Sequence, residues 1–264
     1  GGDSSDPHPR PISRRTGEGR LWNRLSALTV SVTDRVPVSI FSAATMGRRA
    51  LRKIDPNLDL SFHYRELPNI PKPFQAEVIF GRSAPLEVEV GSGKGLFLRR
   101  AAAGTPDVDF VGLEIAQKYA RFSAAGLAKL GVRNAIVIHG DAQLFFAEWL
   151  LPESVQAVHV YFPDPWWKKR HKKRRVLNET FLKNVQRALR PEGRLHFWTD
   201  VAEYFQTTIE LLKNTTSLLG PFPVPERPAE NDMDFRTHFE RRVRLQGGTI
   251  YRAEFVKPSS SVLQ

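Results

Sequence analysis

A glycine-rich turn carries the first residues with recognisable chemistry. Residues 86–95 have the sequence LEVEVGSGKG, an apolar run that ends in closely spaced glycines. Gly91 and Gly93 permit a tight turn and let the backbone approach a ligand without a Cβ in the way. Leu96 takes the last glycine position of the dinucleotide fingerprint, and the spacing of the phosphate loop is absent. The pattern favours a nucleoside ligand without a pyrophosphate, and a purely structural turn is the alternative.

Acidic residues lie at the ends of the apolar runs that follow. Glu114 comes 23 residues after Gly91, where an acid can accept hydrogen bonds from both hydroxyls of a ribose. Asp141-Ala142 ends the next run, although Asp141 alone could cap a following helix. With Glu89 in the first run, the series resembles the S-adenosylmethionine site of Rossmann-like methyltransferases. The resemblance implies that Glu89 supports the glycine turn and the amino-acid end of the ligand, Glu114 the ribose and Asp141 the adenine.

The segment 162–175 (FPDPWWKKRHKKRR) combines a carboxylate, aromatic rings and positive charge. Prolines on both sides of Asp164 restrict the backbone, so its carboxylate is held at the end of the fourth predicted strand. Trp166 and Trp167 offer flat faces that could support an extruded base. The alternative is that both rings pack into the core and the basic residues only face solvent. The combination favours a nucleic-acid substrate placed beside a bound nucleoside.

The positive charge of the chain is concentrated in two places. The 264 residues carry a formal net charge of +11, with 39 Lys and Arg against 28 Asp and Glu. Residues 1–64 account for a net +4 and residues 168–175 for +7, so the remaining positions sum to zero. This distribution predicts a polyanionic partner, most simply a nucleic acid. Phosphate contacts are expected from Lys172, Lys173, Arg174 and Arg175.

Alternating apolar and helical patterns must position these residues. Strands are predicted at 85–90, 108–114, 135–139, 156–162 and 194–198, and a last strand at 248–257. Helices are predicted at 94–103, 115–130, 142–150, 178–190 and 201–213, and a loop at 220–232. The alternation predicts an α/β fold with a Rossmann-like, doubly wound, mostly parallel sheet and helices on both faces. In such a sheet the carboxyl ends of the strands form the ligand edge.

Composition excludes several classes of protein. With no cysteine in the chain, disulfides, thiolate metal sites and cysteine nucleophiles are excluded. The histidines show no ligand spacing, so we expect no metal. No apolar stretch is long enough for a transmembrane helix, and we expect a cytoplasmic protein with no membrane partner. Residues 1–45 are expected to form a disordered extension, or a basic arm that helps to hold RNA, with Met46 as a candidate translation start and residues 46–264 as the catalytic domain.

Residues 58–257 resemble the bacterial tRNA (guanine-N7-)-methyltransferases, which modify guanine 46 of the variable loop of tRNA. The most specific match is Phe162-Pro163-Asp164-Pro165-Trp166 followed by Lys168 and the basic run. Further matches, in the same order and at similar spacing, are residues 89–95, 112–114, 141–142, 199–200 and 237–240. The resemblance implies the class I methyltransferase fold, with an antiparallel last strand.

The same resemblance implies a role for each matching residue. S-adenosylmethionine is the implied methyl donor, S-adenosylhomocysteine the product and tRNA the partner. Asp164 resembles the catalytic residue and also lies close to the donor. The donor contacts implied are Glu89, Gly91, Gly93, Glu114, Asp141, Ala142 and Asp164, and the tRNA site implied is Lys168, Asp200, Thr237, His238, Phe239 and Glu240.

Two other interpretations remain at this stage. A methyltransferase fold could serve only to bind RNA, although the presence of Glu89, Glu114 and Asp164 disfavours a loss of catalysis. A nicotinamide- or nucleotide-dependent enzyme is disfavoured by Leu96 in the last glycine position. Asp200 could act only as a helix cap. The sequence makes no prediction of the oligomeric state.

Overall fold

The computed structural model describes residue 1 and residues 51–166, 169–226, 228 and 235–259, without the side chains of residues 169, 172 and 173. The described residues from 51 onward belong to one compact unit. The expected boundary between an extension at 1–45 and a domain at 46–264 lies outside the described residues.

Eight strands form one twisted sheet in the order β1-β4-β3-β2-β5-β6-β8-β7. Neighbours from β1 to β6 pair in parallel, whereas β8 runs antiparallel to both β6 and β7. The strands are Tyr64–Glu66 (β1), Leu86–Val90 (β2), Asp109–Glu114 (β3), Ala135–His139 (β4), Val155–Tyr161 (β5), Leu189–Thr199 (β6), Leu219–Pro223 (β7) and Tyr251–Val256 (β8). The predicted mostly parallel sheet with an antiparallel end is confirmed.

Helices cover both faces of the sheet, because the parallel strands are apolar on both sides. One core layer joins the sheet to α4, α5 and α6, and the other joins it to α2, α3 and α7. The α-helices are Ala76–Phe80 (α1), Leu96–Gly104 (α2), Gln117–Leu130 (α3), Ala142–Glu148 (α4), Glu179–Ala188 (α5), Ala202–Thr215 (α6) and His238–Leu245 (α7), and short 3-10 helices span Leu67–Asn69 and Lys169–Arg174.

The strand order places the ligand edge where it was expected. The chain crosses from β2 to β3 and β4 on one side of the sheet, then returns to β5 on the other side of β2. Such a reversal leaves a crevice at the carboxyl ends of the two strands that flank it. The glycine turn follows β2 and Asp164 follows β5, the two strands at the reversal, and Glu114 and Asp141 lie at the carboxyl ends of the adjacent β3 and β4.

The predicted loop at 220–232 is wrong in its first residues. Residues 219–223 form the edge strand β7, which pairs antiparallel with β8. Pro221 and Pro223 lack a backbone N–H, and an edge strand tolerates this because one side of its backbone has no partner to bond. Strand β6 also begins earlier than predicted, at Leu189, with a register irregularity opposite β5.

Within the described residues, no helix has the combination of length and hydropathy needed to cross a membrane.

Candidate active site

A cavity of about 390 Å³ opens at the carboxyl ends of β2, β3, β4 and β5. This size is typical of small-molecule sites. Its lining combines the glycine turn, two acidic strand ends and the proline-flanked aspartate. The lining residues used below are Gly91, Glu114, Ile115, Asp141, Ala142, Gln143, Tyr161, Phe162, Asp164, Trp166 and Arg174.

Glu114 ties the glycine turn to the next strand. Its Oε2 accepts a hydrogen bond from the backbone N–H of Gly93 at 2.8 Å, and its Oε1 accepts one from the N–H of Ala116 at 2.9 Å. Gly91 has φ +78°, a conformation that favours glycine. Gly95 has φ +70°, and a Cβ there would overlap the side chain of Ser123. The turn is therefore fixed by backbone geometry and by a carboxylate that also faces the cavity.

Asp141 has the capping role that the sequence left open. Its Oδ1 accepts a hydrogen bond from the N–H of Gln143 at 2.8 Å, at the start of α4. The residue is exposed and lines the cavity together with Ala142 and Gln143. Capping uses one carboxylate oxygen, so the other can still accept from a ligand. The two interpretations of Asp141 are compatible.

The loop after β5 presents Asp164 to the cavity. Phe162 and Trp166 have φ of +51° and +44°, so this loop stores backbone strain on both sides of the aspartate. Asp164 is exposed on the cavity wall. The structure therefore holds the carboxylate beside the glycine turn and Glu114, as the sequence predicted for this edge.

Arg175 braces the same loop from behind. Its Nε donates to the backbone oxygen of Pro165 at 2.7 Å, and its guanidinium lies 4.5 Å from the ring centre of Tyr204. The sequence placed Arg175 in a phosphate-binding patch, whereas the structure directs its Nε inward. The reason is that the strained loop has a carbonyl within reach and α6 supplies a ring for the cation to cover.

The rest of the basic run is placed only in part. Arg174 lines the cavity and lies 5.2 Å from the ring centre of Trp166. Lys168 lies outside the described residues, and Lys172 and Lys173 lie in the 3-10 helix Lys169–Arg174 without described side chains. Trp166 is half-buried, and His171 meets its ring edge-on at 5.8 Å.

The segment at 237–240 begins α7 and reaches the cavity through one aromatic contact. Thr237 caps the helix by accepting a hydrogen bond from the N–H of Glu240 at 2.9 Å. Phe239 packs against Phe162 with their ring centres 4.9 Å apart, and Phe162 lines the cavity. The exposed His238 follows the cap. The segment therefore borders the Asp164 loop without lining the cavity itself.

Glu240 and Asp200 differ in how far they can reach a substrate. Glu240 is 3 % exposed, and its oxygens accept from the N–H of Arg236 and face Arg244 and Arg252 at 3.5 Å each. Glu240 was predicted to bind the substrate, but these buried contacts make it a structural residue that holds α7 against the rest of the fold. Asp200 follows β6 and is exposed, and it does not cap α6, whose N-cap is Val201 without a side-chain cap bond, so the interpretation of Asp200 as a helix cap is wrong. Partial desolvation of its carboxyl raises its pKa, and Arg242 opposes the shift.

The sequence is similar to that of known methyltransferases. The family described as "Putative methyltransferase" matches residues 83–253. The tRNA (guanine-N(7)-)-methyltransferase of Rhodopirellula baltica is 47% identical over 220 residues, covering 81% of each chain. The enzyme of that name from Myxococcus xanthus is 34% identical over 196 residues, covering 72% of this chain and 90% of its own.

The chain belongs to the tRNA (guanine-N(7)-)-methyltransferase family. A solved structure titled "Structure of an Antibiotic Related Methyltransferase" covers 67% of this chain and 88% of its own, at 17% identity and a TM-score of 0.47. The sequence match with the curated relatives carries the assignment, and it includes the region that surrounds the cavity.

The cavity fits the donor of this family, S-adenosylmethionine, which is a cationic nucleoside. Glu89 is 3 % exposed and does not line the cavity, and its Oε2 has no hydrogen-bond partner. Burial raises the pKa of Glu89 to about 8, and the neighbouring Glu114 adds to the shift. A positive charge bound in front of these two carboxyl groups would favour the ionised form of Glu89. Gly93 likewise shapes the turn behind the cavity wall rather than lining it.

Some lining residues were not predicted from the sequence. Ile115 is 68% exposed although it is large and apolar, and it borders the cavity directly after Glu114. Such a side chain offers a flat apolar contact to a bound base. The sequence carries no signal for this role, because Ile115 fits the apolar pattern of the predicted helix 115–130 and its exposure cannot be read from sequence. Gln143 and Tyr161 also line the cavity.

A search for three or more metal-ligating side chains in one place, limited to the described residues, finds none. His159 and His196, which the sequence left unassigned, are stacked with ring centres 4.8 Å apart in the sheet. His159 Nε2 lies 2.8 Å from Glu87, and His196 Nδ1 lies 3.3 Å from Glu254. Neither histidine lines the cavity, but His159 Nδ1 lies 2.9 Å from the hydroxyl of Tyr161, which does.

Proposed function

We propose that this protein transfers a methyl group from S-adenosylmethionine to N7 of guanine 46 in the variable loop of tRNA. The observation that carries the proposal is the exposed Asp164 in the wall of the same cavity as the glycine turn and Glu114. The relatives in R. baltica and M. xanthus bear the name of this activity. An RNA substrate and a chain without cysteine both fit a cytoplasmic location.

The donor is held by residues from four strand ends. Bound S-adenosylmethionine supplies an electrophilic methyl group on a sulfonium. Glu114 faces the cavity with one carboxylate that already fixes the turn, and its remaining lone pairs can accept from ribose hydroxyls. Asp141 and the apolar Ile115 stand at the adenine end of the proposed pose. Gly91 leaves room for the amino-acid end, and the carboxyl groups of Glu89 and Glu114 favour a cationic ligand.

Methylation at N7 requires orientation rather than proton removal. Guanine N7 has a lone pair and no proton, so no general base has to act on the nucleophile. Alignment of reacting groups can supply about 7–11 kcal/mol of the barrier. We assign this task to Asp164, whose carboxylate can accept hydrogen bonds from guanine N1–H and the 2-amino group. This contact selects guanine over adenine and offsets the positive charge that develops on the product base.

Trp166 and Arg174 are suited to the RNA side of the cavity. The guanidinium of Arg174 lies over the indole ring, and both residues line the wall that carries Asp164. An aromatic ring and a neighbouring cation can receive a base and its phosphate together. The basic run, Asp200 and the Thr237–Glu240 segment are proposed to contact the rest of the tRNA, with Glu240 acting through the shape of α7.

Transfer of labelled methyl to bulk tRNA, followed by nucleoside analysis, tests the proposal. We expect 7-methylguanosine as the labelled nucleoside, and its absence with an otherwise active donor site would contradict the assignment. Thermal unfolding with S-adenosylhomocysteine or with NAD separates the classes of enzyme. Stabilisation by NAD alone would support a nicotinamide-dependent enzyme, and tRNA binding without transfer would support an RNA-binding protein.

A further inference from the structure

A second concentration of positive charge lies beside the cavity, although the chain is neutral outside its two basic segments. Residues 115–140 contain four basic residues and no acidic residue. Two of them, Lys118 and Arg121, are exposed one turn apart at the start of α3. Arg133 is exposed just before β4. Helix α3 therefore presents cations without the interspersed acids that are typical of a solvated helix face.

Each of these cations lies near an aromatic ring. Arg121 is 5.4 Å from the ring centre of Tyr64, and Arg133 is 4.3 Å from that of Phe62. Lys118 is 5.3 Å from the ring centre of its neighbour Tyr119. We call these residues the β1-edge patch: Phe62, Tyr64, Lys118, Tyr119, Arg121 and Arg133. All three rings are only half-buried, so the patch exposes both charge and aromatic surface.

The neighbouring acids do not neutralise the patch. Within the described residues, no ion pair involves Lys118, Arg121 or Arg133, whereas Lys183 on the other face is paired with Glu179 at 2.7 Å. Glu66 is occupied by Tyr64, His139 and Gln117. Asp59 is held by Ser61 and acts on Arg133 only through space.

The position of the patch relates it to the cavity. Helix α3 starts three residues after Glu114, and β1 pairs with β4, whose carboxyl end leads to Asp141. The Asp164 loop and the basic run leave the sheet after β5, four strands away from β1. At about 4.8 Å per strand, the β1 edge lies roughly 19 Å across the sheet from β5. Lys118 and Arg121, at the start of α3, lie at the carboxyl edge that holds the cavity, whereas Phe62 and Arg133 precede β1 and β4 and extend the patch toward the amino ends of these strands. A folded RNA that delivers a base to the cavity can contact both basic surfaces.

We propose that the β1-edge patch is a second tRNA-binding surface. The inference rests on the proposed function, because the cavity must receive a base of the RNA that the patch holds. The cations contact phosphates, and the rings beneath them restrict the side chains, which lowers the entropy lost on binding. The half-exposed rings of Tyr64 and Tyr119 are available to unpaired bases.

The test is a double charge reversal, Lys118→Glu with Arg121→Glu. Acidic residues are favourable in the first turn of a helix, so folding should tolerate the change at Lys118. We expect the tRNA affinity at 0.1 M salt to fall about tenfold or more, and the slope of log affinity against log salt to become shallower by about 1.5. The affinity for S-adenosylhomocysteine should not change, and KM for tRNA should rise more than kcat falls.

Lys183→Glu, on α5 at the face of the sheet opposite α3, is the control for a single charge reversal and is compared with Lys118→Glu alone. An affinity loss in the double variant no larger than in this control would overturn the proposal. Lys118→Glu alone and the charge-preserving Arg121→Lys provide a second measurement, with a partial loss expected for the first and little change for the second. A loss of S-adenosylhomocysteine binding in step with tRNA binding would indicate a structural role and would also overturn the proposal.

Wild-type protein that binds tRNA without methylating N7 contradicts the proposed function instead, and the same comparison of tRNA affinities still decides the role of the patch.

Discussion

Asp164 is the residue on which the chemistry depends most directly. Its carboxylate lies on the cavity wall, flanked by two prolines and by two residues with positive φ. The backbone of this loop is therefore strained in the conformation that presents the carboxylate. Asp164→Asn keeps the size of the side chain but replaces an acceptor by a donor that faces guanine N1–H. We expect kcat to fall by about 100-fold, because a small misplacement of the base is sufficient for such a loss.

Single-turnover methyl transfer to tRNA measures the effect of Asp164→Asn, and calorimetry with S-adenosylhomocysteine measures donor binding. Donor affinity should change only modestly, because Glu114 and the glycine turn remain intact. Near-normal turnover in the variant would remove Asp164 from the mechanism. A loss of donor affinity as large as the loss of rate would make Asp164 a donor contact rather than an orienting group.

Glu89 gives a prediction about stability. Its pKa is raised to about 8 by burial, so between pH 4.5 and 8 the folded protein keeps a proton that the unfolded chain releases. The free energy of unfolding therefore falls as the pH rises through this range, by up to about 1.4 kcal/mol per pH unit. Glu89→Gln removes this dependence, because the amide is neutral at every pH.

Urea unfolding of both proteins between pH 5 and 8.5 measures this difference. The stability of Glu89→Gln relative to wild type should increase steadily with pH and level off above about 8. His63, His159 and His196 have lowered pKa values, but they are present in both proteins and cancel in the comparison. Parallel curves for the two proteins would show that Glu89 is already ionised in the fold.

At the scale of elements, the loop between β5 and α5 depends on a contact from Arg175. The hydrogen bond to the oxygen of Pro165 holds the loop one residue after Asp164. We expect Arg175→Ala to lower kcat by about tenfold, because the loop loses one of the groups that fix Asp164, while KM for tRNA changes little. Steady-state kinetics over a range of tRNA concentrations separates the two constants.

Arg187 provides the control for Arg175. It also donates to backbone oxygens, those of Phe146 and Leu150 at 2.6 and 2.9 Å, but it joins α4 to α5 away from the Asp164 loop. Arg187→Ala should lower the melting temperature and leave kcat per folded molecule unchanged. If Arg175→Ala instead raises KM for tRNA with kcat intact, Arg175 binds phosphate, as its place in the basic run suggested.

Helices and strands were predictable from the sequence where burial produced a regular pattern of apolar residues. The strands from β2 to β5 and the helices between them lie within two residues of their predicted bounds, because each buries an apolar stripe. Helix α7 was not predicted as a helix, since its basic sequence has little apolar periodicity. Its signal was the spacing of Thr237 and Glu240, which matches a capping box. Strand β7 is exposed along its whole length and rich in proline, so it has no apolar alternation, and it is a strand because it pairs with β8.

The site was predictable where the chain itself places a residue at a strand end. Glu114, Asp141 and Asp164 each follow an apolar run, and parallel strands bring such ends to one edge. The direction of a side chain in a loop depends on distant neighbours, which a sequence pattern does not show. Arg175 bonds a carbonyl ten residues earlier, and Glu240 in α7 meets Arg252 of β8. Arg175 was assigned to the substrate from its place in the basic run and Glu240 from the family resemblance, and neither signal shows these contacts.

On the scale of the whole molecule, the net positive charge is concentrated in a few segments of the chain rather than spread evenly along it. The positions outside residues 1–64 and 168–175 sum to a net charge of zero, but they are not uniformly neutral. Among them, residues 115–140 contain basic residues and no acidic residue. A polyanion approaching the cavity meets positive charge from both sides of the strand reversal. This arrangement favours association with folded RNA and makes binding sensitive to salt.

The basic run itself is tested by replacing Lys172 and Lys173 with Ala, which leaves the brace at Arg175 and the cavity residue Arg174 in place. Each lost phosphate contact should make the salt slope shallower by about 0.7–0.9, so the double variant should lose about 1.5 in all. Filter binding of tRNA from 50 to 300 mM salt gives the slope.

When these changes are combined with those at Lys118 and Arg121, the losses of tRNA affinity should add, because sites this far apart do not share partners. A combined variant no weaker than either double variant would mean that tRNA engages one surface at a time, and the two-sided arrangement around the cavity would then be wrong.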